Sequence, residues 1–338
     1  MNEPRRVGIK DVARAAGVST TTVSHALSGK GRLPRSTRDR VRGVARELGY
    51  VPHPAAASLA GGRTGLVAAF VSVPGNAPIA FTDIDYYVGL VNGATRAAIE
   101  RGLALVVAPS TAGVDAWNRL PLDGVIVIDP ADGDPTLPML RARGLPIVFV
   151  GRDPNGTALD LVVQNDRHAS TRAVLEHLDA AGARHAGVLT LRTFETFTED
   201  CLDSYRLWCR ERGVAPVIHE APADSTATQT DFRAAAEAFV RRPDLPDAVF
   251  CLYERQAVEL LAAARSNGIR IPRDLMVVTI SEVGFAQTTD PPLTALEVNQ
   301  SVLGERAVAL LAEAVEGRPA VSVLDVPTRI SPRASTRR

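Results

Sequence analysis

The chain has 338 residues, 46% of them apolar and 22% charged, a composition typical of globular proteins long enough for more than one hydrophobic core. No apolar run approaches the roughly 20 residues of a membrane-spanning helix, and the N-terminus contains no signal-peptide core, so we expect a cytoplasmic protein without a membrane partner. Three cysteines without a CxxC pair exclude a disulfide framework and predict no metal site.

The formal net charge of zero conceals two segments of opposite charge. Residues 1–63 contain 12 Lys and Arg against 4 Asp and Glu, a charge of +8, and the remaining residues contain 26 against 34, a charge of −8. A basic segment joined to an acidic globular body is typical of proteins whose first part binds a polyphosphate. A solvated basic tail is the alternative, and the residue pattern must decide between them.

Apolar residues recur at helical spacing between Ile9 and Tyr50, which predicts short helices rather than a disordered tail. Gly17 permits a left-handed turn after the first helix, and the Ser19 hydroxyl can cap the second. Two helices joined by a tight glycine turn form a helix-turn-helix, which places its second helix in the major groove of DNA. The predicted helices are Lys10–Ala16, Thr20–Leu27 and Ser36–Leu48.

The head carries the run Ile9-Lys-Asp-Val-Ala-Arg-Ala-Ala-Gly-Val-Ser-Thr-Thr-Thr-Val-Ser-His25, followed by Thr37-Arg38 and Leu48-Gly-Tyr-Val-Pro52. This pattern resembles the LacI family of bacterial transcription regulators. Gly8 departs from it, standing where relatives often have a threonine cap. The resemblance implies base reading by threonine and histidine side chains, which can contact base edges, and phosphate contacts by neighbouring residues. The base-reading residues are Thr20, Thr21 and His25; the phosphate contacts are Ser19, Thr22, Ser24 and Arg40.

Residues 51–63 are rich in alanine and framed by prolines and glycines, a composition typical of a linker. The family resemblance implies a hinge helix that folds in the minor groove of DNA. Leu59 then wedges into a central base step and bends the duplex. Pro54 departs from common relatives and leaves the start of this helix open. A passive tether with an exposed Leu59 is the alternative.

Beyond Thr64 the sequence alternates between short apolar runs and amphipathic stretches. This alternation predicts parallel sheets covered by helices on both faces, and the number of runs predicts two such sheets. The predicted strands are Leu66–Val73, Leu103–Ala108, Gly124–Ile128, Ile147–Val150, Ala186–Leu191, Ala248–Leu252 and Met276–Ile280. The predicted helices are Tyr87–Arg101, Arg167–Ala181, Ser204–Arg212, Asp231–Arg241, Gln256–Asn267 and Ser301–Glu316.

The runs Leu122-Asp-Gly-Val-Ile-Val127 and Gly144-Leu-Pro-Ile-Val-Phe-Val150 resemble the periplasmic-binding-protein-like domain of the same family. The resemblance implies an all-α helix-turn-helix head and an α/β body of two lobes joined by three crossovers. It also implies a homodimer on a palindromic DNA operator and a small-molecule effector of unknown identity in the cleft between the lobes. The expected divisions are a head over 1–50, a hinge over 51–63 and a body over 64–338, with lobe 1 about 64–165 and 297–325 and lobe 2 about 166–296 and 326–338.

The effector pocket departs from the family pattern. The usual Asp after Cys251 is replaced in Tyr253-Glu254, the usual Asp-Asn pair appears as Ser281-Glu282, and Leu202 aligns with a common Arg. The segment between Ala108 and Asp123 is short, so we expect little room for the usual second helix. Polar side chains and aromatics at strand ends remain as effector candidates. They are Asp83, Asp85, Tyr86, Arg152, Asp153, Phe194, Phe197, Tyr253, Glu254, Ser281 and Glu282.

Motifs for catalysis or for a cofactor are missing from the sequence, which has no GxSxG, HExxH, phosphate-binding loop or GxGxxG after a strand. Asp129, Asp132 and Asp134 lack the spacing of a calcium loop and are interpreted as a solvated loop. We therefore expect no enzyme, no cofactor and no metal. The leading hypothesis is an effector-controlled transcription regulator, most simply a repressor. A solute-binding protein, an enzyme on the same architecture and a regulator with a vestigial pocket are the alternatives.

Overall fold

The computed structural model describes residues 7–28, 32–50, 63–72, 85–109, 113–192, 196–222, 229–280 and 285–337. It divides into two compact units, Met1–Gly65 and Leu66–Arg338, which we call the head and the body. In the described ranges, no helix combines the length and the apolar composition that a bilayer-spanning segment requires.

The head contains three helices around a small apolar core: α1 (Ile9–Ala16), α2 (Thr20–Ser28) and α3 (Arg35–Glu47). Each helix contributes a fully buried valine to this core. The valines are Val12, Val23 and Val41. Burying these side chains stabilises helices that would be too short to persist alone in water.

Local hydrogen bonds fix where the head helices begin and end. The Asp11 carboxylate accepts a hydrogen bond from the Gly8 N–H at 3.0 Å, which orients the first turn of α1. Gly17 ends α1 in the left-handed region with φ 63°, and the Ser19 hydroxyl accepts from the Thr22 N–H at 3.1 Å at the start of α2. The predicted glycine turn and serine cap are confirmed, and together they set the angle between the first two helices.

The body alternates strands and helices along the chain. Its strands are β1 (Leu66–Val71), β2 (Ala104–Val107), β3 (Gly124–Ile128), β4 (Ile147–Val150), β5 (Leu161–Gln164), β6 (Ala186–Arg192), β7 (Val217–Pro222), β8 (Ala248–Cys251), β9 (Met276–Ile280), β10 (Thr294–Glu297), β11 (Val323–Asp325) and β12 (Arg329–Ser331). Its helices are α4 (Asp85–Glu100), α5 (Gly113–Arg119), α6 (Thr136–Ala142), α7 (Arg167–Ala180), α8 (Thr196–Arg212), α9 (Gln229–Val240), α10 (Glu254–Ser266), α11 (Phe285–Thr288) and α12 (Gln300–Val315).

Two six-stranded sheets form the body, and each is the centre of one lobe. The lobe 1 sheet has the order β11-β5-β4-β3-β1-β2 and all its pairs are parallel. The lobe 2 sheet has the order β12-β10-β9-β8-β6-β7, and only its edge strand β12 runs antiparallel. Apolar clusters cover both faces of both sheets, so the predicted two-lobed α/β fold class is confirmed.

The structure contains elements that the sequence pattern did not predict. Helix α5 lies in the segment that we expected to be too short for a helix, and that expectation was wrong. Its buried Trp117 packs edge-on against the Phe70 ring, with centroids 4.9 Å apart, which anchors this short helix on the sheet. Helix α8 begins at Thr196 rather than at the predicted Ser204. Its first two turns are largely polar and therefore lack a strong apolar periodicity.

Three crossovers connect the lobes, after β5, after β10 and after β11. The buried Asn165 side chain joins all three, because its amide donates to the carbonyl of Val298 at 3.1 Å and to that of Val326 at 2.8 Å. The Asn299 amide donates to the Pro327 carbonyl at 2.7 Å. The two Asn165 bonds satisfy buried backbone groups where the strands change sheets, and all three bonds fix the crossovers relative to one another.

Candidate DNA-reading surface and effector cleft

Helix α2 presents its polar side chains on one face and its apolar side chains on the other. Thr20, Thr21 and His25 are exposed, whereas Val23 and Ala26 are completely buried in the head core. Residues 21 and 25 are one helical turn apart and therefore project from the same face. The core thus holds the helix by its inner face and leaves hydroxyl and imidazole groups available for base edges.

The residues expected to contact phosphates surround this face. Ser19 is exposed, and its hydroxyl lies 2.9 Å from that of Thr22. Ser24 is half-buried on α2, and Arg40 is exposed on α3. Leu59, the expected minor-groove wedge, lies outside the described residues.

A narrow cleft separates the two lobes of the body near the crossovers. Lobe 1 contributes side chains at the carboxyl ends of its strands, and lobe 2 contributes the first turns of α7 and α8. The lining residues are Asp129, Pro130, Gly151, Arg152, Gln164, Arg167, Thr196, Phe197 and Asp200. The remaining cavity has a volume of about 10 Å³, which is room for about one water molecule.

Direct contacts hold this cleft closed. The Arg152 guanidinium of lobe 1 lies 2.7 Å from the Asp200 carboxylate of lobe 2. The Thr196 hydroxyl donates to the Arg152 carbonyl at 2.8 Å. The first of these contacts is a charge-assisted hydrogen bond, which is the stronger class.

Asp129 is the carboxylate of lobe 1 that faces the charged side of lobe 2. Burial raises the pKa of Asp129 to about 6, and the Arg167 charge and a hydrogen bond with Tyr87 oppose that rise. Arg167 lies 4.7 Å from the centroid of the Phe197 ring and donates to the Asn165 side-chain oxygen at 3.3 Å. The cleft therefore contains two carboxylates, two guanidinium groups and one aromatic ring.

The structure brings two of the predicted effector residues, Arg152 and Phe197, into the cleft wall. Tyr253 lies beside them, with its ring edge-on to Phe197 at 6.1 Å and its hydroxyl 3.1 Å from that of Thr198. Asp129, Gln164, Arg167, Thr196 and Asp200 were missed as effector candidates. Asp129 directly follows β3 and Gln164 ends β5, so the strand-end rule could have identified both.

Two other predicted candidates, Asp153 and Glu254, form contacts within one lobe. The buried Asp153 accepts from Arg141 at 2.7 Å, and Glu254 accepts from the Ala286 N–H at 3.2 Å. Asp85 is exposed at the start of α4. Tyr86 packs against apolar clusters of both lobes, and its ring lies edge-on to Tyr87 with centroids 5.3 Å apart. Four further candidates lie outside the described residues: Asp83, Phe194, Ser281 and Glu282.

The aspartate-rich loop after β3 is less solvated than its composition indicates, which corrects our interpretation. Asp134 is buried and accepts hydrogen bonds from the Ser72 hydroxyl at 2.6 Å and from the Thr136 N–H at 2.7 Å. It therefore caps α6 and ties it to the end of β1. Among the described residues, no group of His, Cys, Asp and Glu is arranged to hold a metal ion.

Two family models match the chain, one in each unit. Residues 8–53 match the model of bacterial regulatory proteins of the lacI family, and residues 175–336 match the periplasmic binding protein-like domain. Together they cover more than half of the sequence, and each coincides with the fold described above. The chain belongs to the LacI family.

Relatives of this LacI-family regulator match it over nearly the full length. The HTH-type transcriptional regulator CelR of Thermobifida fusca is 29% identical over 94% of this chain and 94% of its own. The probable HTH-type transcriptional repressor ExuR of Bacillus subtilis is 26% identical over 91% of this chain and 92% of its own. These relatives are transcription regulators rather than enzymes, and this chain is likewise a DNA-binding regulator with an effector-binding domain.

Solved structures agree with this assignment. A complex of the transcriptional regulator CelR with cellobiose superposes on the LacI-family chain with a TM-score of 0.71 at 26% identity, covering 98% of this chain and 100% of the other. A Lac repressor dimer bound to operator and the anti-inducer ONPF has a TM-score of 0.78 at 20% identity, covering 98% and 99%. The second likeness shows the shared fold.

Proposed function

We propose that this protein is a repressor that binds a palindromic operator as a homodimer and responds to a small molecule in the cleft between its lobes. The observation that carries the proposal is the polar face of α2, where Thr20, Thr21 and His25 are exposed above a closed apolar core. A helix with exposed hydroxyl and imidazole groups is suited to reading the major groove.

Repression is supported by relatives named as repressors, among them ExuR and the purine repressor PurR of Photobacterium profundum, which is 26% identical over 92% of this chain.

A single head reads only a half-site, and two-fold symmetry doubles the contacts. Ile99 near the end of α4 and Val107 at the end of the edge strand β2 are exposed apolar residues on lobe 1, and they are candidates for the subunit contact.

The effector is proposed to control DNA affinity by changing the angle between the lobes. Three crossovers meet at Asn165, so a change at the cleft alters how the lobes are held relative to one another. In this proposal the residues 51–63 act as the hinge that couples the body to the head, and Leu59 is its wedge. A ligand can shift such an equilibrium only by binding one lobe arrangement more tightly than the other. Its DNA partner places the site of action in the bacterial cytoplasm.

The decisive experiment is selection from a random duplex library with purified protein at near-physiological salt. We expect a palindrome that is bound at least roughly a thousandfold more tightly than a scrambled duplex. Light scattering of the complex should give two chains per duplex. Failure to enrich any sequence, with and without extracted metabolites, would contradict the proposal.

Variants of the head separate base reading from phosphate binding. Thr21→Ala and His25→Ala should weaken operator binding about 5- to 100-fold and relax the preference at one base position, with little change on random DNA. Arg40→Ala is the matched contrast, because a lost phosphate contact weakens operator and random DNA alike. Leu59→Ala should weaken operator binding and spare much of the affinity for random DNA. Equal losses on both duplexes for Thr21→Ala, His25→Ala and Leu59→Ala would refute their assigned roles.

A further inference from the structure

Arg167 is a half-buried cation whose charge is only partly compensated in the cleft. It is the first residue of α7, and within the described residues no carboxylate oxygen lies within 4.0 Å of its guanidinium group. Its partners there are the Asn165 side-chain oxygen at 3.3 Å and the Phe197 ring at 4.7 Å. A guanidinium group has five N–H donors, so this arrangement leaves capacity for an anionic acceptor.

Asp129 is the carboxylate that faces Arg167 across the cleft, but it does not form a close ion pair with it. Its burial favours the neutral form and raises its pKa to about 6, and the charge of Arg167 offsets only part of that effect. The two groups belong to different lobes. A molecule placed between them would meet a cation on one side and a partly buried carboxyl group that can form hydrogen bonds on the other.

The second guanidinium of the cleft is held in an ion pair with the opposite lobe. In the closed arrangement Arg152 is paired with Asp200 at 2.7 Å, and the cavity of about 10 Å³ excludes anything larger than water. A ligand must therefore break this ion pair in order to enter. Once the pair is broken, Arg152 projects from lobe 1 toward the same space as Arg167 of lobe 2.

We propose that the effector is a small hydroxy acid, whose carboxylate is bound by Arg167 and whose neighbouring hydroxyl donates a hydrogen bond to Asp129. This inference rests on the proposed effector role of the cleft and names the ligand class. A neutral polyol offers Asp129 the same hydroxyl groups but gives Arg167 no anionic partner. Discrimination therefore depends on the carboxylate, because a half-buried guanidinium group gains a charge-assisted hydrogen bond from the acid and none from the neutral polyol.

The test compares molecules that differ in the carboxylate. The full-length protein is titrated by calorimetry with the potassium salts of glycerate, gluconate and glucuronate, and with glycerol, glucitol and glucose, at equal potassium concentration. At least one acid should bind at least about tenfold more tightly than its neutral counterpart, the advantage expected for a charge-assisted hydrogen bond. No binding by any acid, or equal binding of acid and neutral partner in every pair, overturns the proposal.

Variants on α7 identify the residue responsible. Arg167→Gln should weaken binding of the acid about tenfold or more and abolish its advantage over the neutral partner, whereas Arg167→Lys should retain part of it. Arg172→Gln is the matched control, because Arg172 lies on the same helix but pairs with Glu176 and Glu211 at the surface. Full binding by Arg167→Gln refutes the assignment. If circular dichroism shows that this variant does not fold, the proposal is tested by comparing acids with their neutral partners on the parent protein.

Operator binding is measured on the same preparations, so that failure of the ligand proposal can be distinguished from failure of the proposed regulatory function. If the protein binds its selected palindrome but no hydroxy acid, the regulatory proposal stands and the proposed ligand class is refuted. If the protein binds hydroxy acids but no specific DNA sequence, the proposed ligand class stands and the operator proposal is refuted.

Discussion

Helices α4 and α12 cover one face of the lobe 1 sheet and meet backbone to backbone, and Gly304→Ala tests this contact. A Cβ atom at position 304 would overlap the Leu90 carbonyl oxygen and would lie 2.8 Å from the Ala94 nitrogen. The contact is reciprocal, because a Cβ at Gly93 would lie 2.7 Å from the Ser301 carbonyl carbon. Backbone atoms cannot rotate away, so the alanine methyl must push the helices apart.

The expected cost follows from the distances. Ordinary contacts between heavy atoms lie at about 3.5–4.0 Å, so the helices must separate by about 1.5 Å, and such a gap forfeits about half or more of each affected contact. Inserting a methyl into a packed core costs about 1–3 kcal/mol, and this backbone contact belongs at the upper end. Alanine regains about 1 kcal/mol of helix propensity. The net loss of about 2 kcal/mol should lower the melting temperature of lobe 1 by roughly 4–8 °C.

Tryptophan fluorescence can follow this lobe alone. The chain has two tryptophans, the buried Trp117 in lobe 1 and the buried Trp208 in lobe 2. In a Trp208→Phe background, Trp117 therefore reports the melting of lobe 1. Gly43→Ala, in α3 of the head, controls only for a Gly→Ala change in a helix without a clash, because a Cβ there meets no atom within 4 Å, and it should leave the lobe 1 transition unchanged. A Gly304→Ala protein that melts at or above the parent temperature would show that the helices adjust without cost.

Three further changes test other parts of the body. Asn165→Ala should lower the free energy of unfolding by about 2 kcal/mol or more in urea denaturation, since it leaves two buried carbonyls without donors; an unchanged midpoint would remove its role in holding the crossovers. Tyr205→Phe should cost about 1–3 kcal/mol, because the buried hydroxyl both donates to a carbonyl of β6 at 2.7 Å and accepts from an N–H of β7 at 2.9 Å; the same urea assay checks it. The pKa of Asp129 is raised to about 6 from 3.8, so the folded state binds its proton more tightly and its contribution to stability declines as pH rises from about 4 to about 6. Asp129→Asn should therefore raise the melting temperature relative to the parent at pH 8 more than at pH 4, and a difference independent of pH would contradict this.

The sequence alone determined the head and the class of the body. The glycine turn after Ala16, the cap at Ser19 and the spacing of buried apolar residues act within a few residues of one another, so they can be read directly from the chain. The alternation of apolar strands with amphipathic helices likewise predicted two covered sheets. The edge strand β7 was missed because polar residues interrupt its apolar pattern.

Only the tertiary structure decided which residues form the cleft. Asp129 and Arg167 are 38 positions apart in the sequence, and Arg152 and Asp200 are 48 apart; each pair meets only because the chain crosses between lobes at Asn165. The same holds for the glycine contact of α4 with α12, whose residues are separated by more than 200 positions. Local periodicity in the sequence cannot predict such contacts, because they depend on how the two sheets and their helices pack.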